Sequence, residues 1–279
     1  MKKILAVLLL IVFQNCDTRK KITDGLEVQL FCSVFASCSS TAVRGVKFGM
    51  IGDSWTDLLF GTNVIENMRY QLEKYHGYQI TGSTLGGQTL ANAVKAGLQF
   101  KVIDEAGPSI KYMLLSLGGN DLQGNPSAYA GNIAAEKARR LAQIQENLLG
   151  MVSSGNFYKQ QKWGGDPLTW IIYGYDYPNP DVPSVQDSTS CRSTLKSAGF
   201  SDTDVDTLVV STLNEYNVFL SQMITKDYHI RYIDLRGTLG GPYSQKQYMY
   251  DCIHPNSAGF RLLGNRYAET LKGFTNNER

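Results

Sequence analysis

From Gly45 to Phe274 the sequence alternates short apolar runs with longer stretches of helical periodicity, and this rhythm constrains the fold more than any other feature. Apolar runs at 45–51, 78–81, 111–117, 168–173 and 229–235 have the length of strands. The stretches 57–75, 89–98, 134–152, 202–225 and 256–274 carry apolar residues on one helical face and predict helices. In 57–75 that face is Leu58, Leu59, Val64, Ile65, Met68 and Leu72, with Thr56 or Asp57 placed to cap the start. Strands alternating with helices imply an α/β fold, a parallel sheet with helices on both faces. Ligands of such sheets bind outside the carboxyl ends of the strands.

One stretch breaks the rhythm. Residues 175–200 open with Tyr-Asp-Tyr-Pro-Asn-Pro-Asp-Val-Pro, lack periodicity and follow the fourth strand. Loops this long inside compact domains are usually functional or disordered. The position predicts a wall on the substrate side of the site; the alternative is a passive surface excursion. Trp163, Trp170, Tyr173, Tyr175 and Tyr177 cluster in or near it. They suit stacking on sugars, contact with acyl chains, or simply the core.

Hydrophobic residues make up 43% of the 279 and charged residues 19%, enough apolar material for a sizeable core. The formal net charge is +2, and the only basic cluster is Arg19-Lys20-Lys21, so nothing marks a nucleic-acid partner. That cluster stands beside an N-terminal pattern of its own. Lys2 and Lys3 precede an unbroken apolar run from Ile4 to Phe13, too short to span a bilayer and typical of an export signal. The run ends in Phe13-Gln14-Asn15-Cys16, which resembles a bacterial lipoprotein signal with Cys16 as the acylated residue. Asn15 departs from the small residue usual before such a cysteine, and an ordinary cleaved signal is the other reading. The expected organisation is a signal peptide over 1–15, a polar tether over 16–44 and one domain over 45–279. The expected location is exported: membrane-anchored through Cys16, or else periplasmic or secreted. Cys32, Cys38, Cys191 and Cys252 remain, and an exported chain can pair them in three ways. No Cys/His spacing suits a zinc site, and no metal is expected.

Four short motifs carry chemistry. Gly52-Asp53-Ser54 ends the first strand, where a serine projects its hydroxyl at the sheet's carboxyl edge and the helix expected next aims its positive end at it. Alone, the triplet is also a common turn. Gly86-Gly87 follows the second strand, where an exposed backbone N–H is a natural anion donor. Gly118-Gly119-Asn120-Asp121 follows the third strand, and the Asn120 amide is a neutral donor at every working pH. Asp251-Cys252-Ile253-His254 stands before the last helix. A serine nucleophile needs a base, and histidine, with an ordinary pKa of about 6.5, suits that role when a carboxylate orients it. Of the three histidines, His76 sits beside Gly77 at a helix end and His229 opens a strand without an evident acid, leaving His254 as the base.

Taken in order, Gly-Asp-Ser, a glycine after the second strand, Gly-x-Asn-Asp and a late Asp-x-x-His resemble the four blocks of the SGNH (GDSL-type) hydrolases, over roughly Val46 to Thr270. The resemblance implies a three-layer α/β/α sandwich with a five-stranded parallel, flavodoxin-like sheet and no cofactor. It implies Ser54 as nucleophile, His254 as base and Asp251 as its orienting acid. The oxyanion hole would be the Ser54 N–H, the Gly87 N–H and the Asn120 side chain, with Gly86 an alternative to Gly87. Asp53 and Asp121 would hold loop geometry. The implied activity is a serine esterase or lipase working through an acyl-enzyme on a small-molecule, lipid or glycan ester. Alternatives are an O-acyltransferase or carbohydrate deacetylase on the same triad, or a non-catalytic surface-binding lipoprotein.

Overall fold

The computed structural model describes residues 45–57, 59–60, 63–184 and 188–279, all within the unit Val43–Arg279. The signal, the tether, Cys16, Cys32 and Cys38 lie outside the described residues.

Five strands form one parallel sheet: β1 (Phe48–Gly52), β2 (Ile80–Thr84), β3 (Tyr112–Ser116), β4 (Thr169–Tyr173) and β5 (Ile230–Ile233). Their spatial order is β2-β1-β3-β4-β5, so the direction in which successive strands are added reverses at β1. Strands buried on both faces need continuous apolar runs, and all five residues of β1 and of β3 are buried. The register sets Gly52 beside Ser116, so both strands end level and their following loops meet at one point. That point is the topological switch, where ligands of doubly wound sheets bind.

The helices are α1 (Met68–His76), α2 (Leu90–Lys95), α3 (Leu98–Ala106), α4 (Gly119–Gln123), α5 (Ile133–Trp163), α6 (Cys191–Ser197), α7 (Asp202–Asp206), α8 (Thr212–Gln222) and α9 (Ser257–Phe274). Helices α1 and α9 pack together on one face; α2, α3, α5 and α8 cover the other. Phe260, Leu263, Tyr267 and Leu271 recur at helical spacing along α9 and are fully buried. Each such side chain contributes roughly 1.5–3 kcal/mol on leaving water.

Three helices depart from the sequence expectation. The helix expected over 57–75 begins only at Met68, where the Asn67 side chain accepts from the Tyr70 N–H at 3.0 Å. Ahead of it Leu59–Phe60 pairs with Asn63–Val64 as a short antiparallel hairpin. The sequence Phe60-Gly61-Thr62-Asn63 carries turn residues that the helical spacing of its neighbours masked. The helix expected over 89–98 breaks at Gly97, in the left-handed region, and resumes as α3. The 134–152 helix runs on to Trp163. Trp170 and Tyr173, two of the candidate ligand-stacking aromatics, are fully buried core.

Candidate active site

Ser54 sits in a tight turn at the end of β1. The Asp53 N–H continues the sheet ladder to the Ser116 carbonyl at 3.0 Å. The Asp53 carbonyl accepts the N–H groups of Thr56 and Asp57 at 3.0 Å each and the Thr56 hydroxyl at 2.9 Å. This winding brings Thr56 back over Gly52, where a Cβ would lie 2.0 Å from Thr56 Oγ1, so only glycine fits. No helix follows directly, so the expected helix terminus aimed at Ser54 is not there; α1 starts later, with the Met68 N–H on the Trp55 carbonyl at 3.0 Å.

The 249–255 loop brings His254, the candidate base. Met249 and Pro255 form a bridge, the Tyr250 N–H reaches the His254 carbonyl at 2.8 Å, and Asn256 caps α9 immediately after. This fold returns Asp251 to the imidazole. Asp251 Oδ2 lies 2.8 Å from His254 Nδ1, while Oδ1 accepts the N–H groups of Ile253 and His254 at 2.9 and 2.7 Å. Burial alone would push the Asp251 carboxyl up; the hydrogen bond and charge of His254, with the two backbone donors, bring it below its ordinary value. An ionised Asp251 fixes the proton on Nδ1, so Nε2 is the accepting nitrogen. Nε2 stands 2.9 Å from Ser54 Oγ, 200 residues away in sequence.

Asn120 lies in the first turn of α4, after β3. The turn needs Gly118 at φ +105°, where a Cβ would lie 2.2 Å from the Tyr216 hydroxyl oxygen. Asn120 Nδ2 donates to the Gln88 carbonyl at 3.0 Å. An amide carries two N–H donors, and this bond uses one. Asp121 accepts the Leu90 and Ala91 N–H groups at 2.7 and 3.2 Å, which ties α4 to the start of α2. Ser54, Trp55, Asn120, Tyr175 and His254 line one small cleft. Gly87, exposed at φ +77° in the adjoining 85–88 turn, is not among its walls.

The other histidines stand elsewhere. His229 does have an acid, Asp227 Oδ1 at 2.8 Å from its Nδ1, correcting the sequence expectation. It precedes β5, however, and so lies at the amino edge of the sheet. His76 Nε2 meets Asn265 Oδ1 at 3.1 Å. Among the described residues no group of three His, Cys, Asp or Glu side chains could hold a metal.

No family model matches the sequence, and no curated protein matches it either. Solved structures do match the fold. A lipase from a goat rumen metagenome is 14% identical, with a TM-score of 0.57 over 80% of this chain and 96% of that one. A protein assigned as a GDSL-like lipase from Parabacteroides merdae is 11% identical, TM-score 0.51, over 81% and 94%. A carbohydrate acetylesterase from Sinorhizobium meliloti is 11% identical, TM-score 0.52, over 82% and 99%. The chain has the SGNH-hydrolase fold.

Within this SGNH fold, three supporting residues escaped the sequence motifs. The Tyr175 phenol accepts the Gly119 N–H at 3.3 Å and donates to the Asp53 carboxylate in a short hydrogen bond. Asp53 also accepts the Trp55 N–H at 3.1 Å and the Ser116 hydroxyl at 3.2 Å. Burial nonetheless pushes the Asp53 carboxyl up to about 6. Tyr175 thus links the Ser54 turn to the Asn120 turn from beneath. Arg140, buried on α5, donates to the carbonyls of Asp121 and Leu122 at 3.1 and 3.0 Å and pins the end of α4. Asp176 accepts the N–H groups of Gly237 and Leu239 at 2.6 and 2.7 Å, holding the chain after β4 to that after β5. None of these contacts is encoded in a local spacing.

Proposed function

We propose that this SGNH-fold chain is a serine esterase that hydrolyses carboxylic esters through an acyl-enzyme on Ser54. The observation carrying this reading is the continuous relay Asp251–His254–Ser54, at 2.8 and 2.9 Å, beside an amide donor on Asn120. Ser54 Oγ attacks the ester carbonyl carbon while His254 Nε2 takes the hydroxyl proton. Asp251 steadies the resulting imidazolium. The tetrahedral oxygen gains its negative charge toward the Ser54 N–H and the second Asn120 N–H. Collapse expels the alcohol, which leaves with the proton returned by His254. Water, deprotonated by the same imidazole, then attacks the acyl-enzyme, and its collapse frees the acid and restores Ser54.

The fold-sharing structures described as a lipase and an acetylesterase support ester hydrolysis as the reaction class. Export, with acylation at Cys16 as the membrane anchor, belongs to the same proposal, and the Cys191–Cys252 disulfide suits an oxidising compartment. The test is labelling by a fluorophosphonate followed by peptide mapping. The modification is expected on Ser54; a modification on another serine, or none, would overturn the reading.

A further inference from the structure

Beside the small cleft at Ser54 lies a pocket of about 460 Å³, the size of a small-molecule site. The two adjoin: Asn120, Gln123, Pro178 and Ile253 belong to the walls of both. The 175–200 stretch contributes Pro180, Ser184, Thr189, Cys191, Thr194 and Leu195 to its walls.

Its walls are predominantly apolar, with Gln123, Ser184, Thr189, Thr194 and Thr212 as polar members. Tyr129, Leu195, Leu208 and Val209 line it and belong to a second hydrophobic cluster, separate from the main core, around Phe200 and Val205. Leu122 and Ile253 add further apolar wall. Asp251 is the one charged residue among the described walls, and its carboxylate is engaged by His254 and two backbone N–H groups. Among the described walls a phosphate group meets no cation. Leu195, Leu208 and Val209 keep part of their surface exposed to it, so a hydrocarbon chain that fills it removes apolar area from water on both sides.

Resting on the serine-esterase reading, we infer that this pocket receives the acyl chain of the substrate, and that the chain acts on esters of medium-length fatty acids rather than on acetyl esters. The acyl side is favoured over the alcohol side by which residues border the pocket. Asn120, the donor for the carbonyl oxygen, is a wall; His254, which must face the leaving alcohol, is not. The alcohol must leave against His254, and the acyl substituent of the same carbonyl carbon diverges from it, toward walls that His254 does not share.

The experiment measures kcat/KM of the full chain on p-nitrophenyl esters from acetyl to dodecanoyl, with melting temperature as the folding control. Each methylene that enters the pocket is worth roughly fourfold, so hexanoyl should exceed acetyl by on the order of 10²-fold before the series levels off. Acetates of alcohols of increasing length should show no comparable rise. Val209→Trp and, independently, Leu195→Trp should each collapse the hexanoyl-to-acetyl ratio toward unity while still melting cooperatively. A flat acyl series in protein whose Ser54 still takes a fluorophosphonate would overturn the pocket assignment and leave the esterase reading standing. A preference that follows the alcohol instead of the acid would equally overturn it. Loss of both labelling and turnover would remove the esterase reading and this inference together.

Discussion

Cys191 is covalently bonded to Cys252, 61 residues further along the chain, with their Cα atoms 5.9 Å apart. The bond joins the first residue of α6, in the pocket wall, to the loop that two residues later supplies His254. Wall and base are therefore held as one piece. Closing a loop of this length restricts the unfolded chain and contributes about 2–4 kcal/mol. Cys191→Ser, or reduction of the wild type, should lower the melting temperature and kcat/KM together. Unchanged melting and unchanged kinetics after verified reduction would contradict this coupling.

Asp53 should titrate far from an ordinary aspartate. Its folded value, raised to about 6 by burial against an ordinary 3.8, gives the linkage its sign. The stability this group contributes is complete below about pH 4 and is lost as pH rises through about 6. Carbon-13 NMR of labelled aspartates should show one carboxyl titrating near 6 that disappears in Asp53→Asn. A full set titrating only in the usual carboxylate range would contradict the buried setting.

Much of this architecture was legible beforehand, and the reasons are local. Ser54 and Asn120 each follow an apolar strand-length run, and Asp251 precedes His254 by three residues, so topology alone brings them to one sheet edge. The start of α1 was misplaced because Leu58, Leu59 and Val64 mimic a helical face, while Asn67, which caps the helix, lies further on. The Tyr175–Asp53 contact spans 122 residues and Arg140 acts on carbonyls that any sequence would offer. Such contacts follow from packing, not from spacing. His229 has an acid in Asp227, two residues away; what disqualifies it is its end of the strand.

Asp251 carries the opposite linkage sign to Asp53. Its lowered value means that its contribution to stability is present above the ordinary carboxylate range and is lost as pH falls through the lowered value. Asp251→Asn removes that term and the charge that steadies the imidazolium. It should reduce kcat by roughly 10²–10⁴ with a small change in KM. Full kcat in Asp251→Asn would require another acid; Asp234 is already engaged by Arg236 at 2.6 Å.

In the proposed mechanism Asn120 meets a charge that exists only in the transition state. Asn120→Ala should lower kcat by on the order of 10²–10³, leaving KM near its wild-type value. Asn120→Asp, nearly isosteric but anionic, should be at least as damaging. Because Nδ2 also bonds the Gln88 carbonyl, melting temperatures must be compared alongside. Near-normal kcat in Asn120→Ala would mean that the oxyanion is held by other groups.

The central claim is a covalent acyl group on Ser54, and intact-protein mass spectrometry of enzyme quenched in acid during turnover of an activated ester tests it most directly. The account predicts a mass increase equal to one acyl group, mapped to the peptide containing Ser54, absent in Ser54→Ala, whose hydrolysis should fall by orders of magnitude while its melting temperature holds. Turnover at the wild-type rate by Ser54→Ala, or an acyl adduct on any other residue, would contradict it.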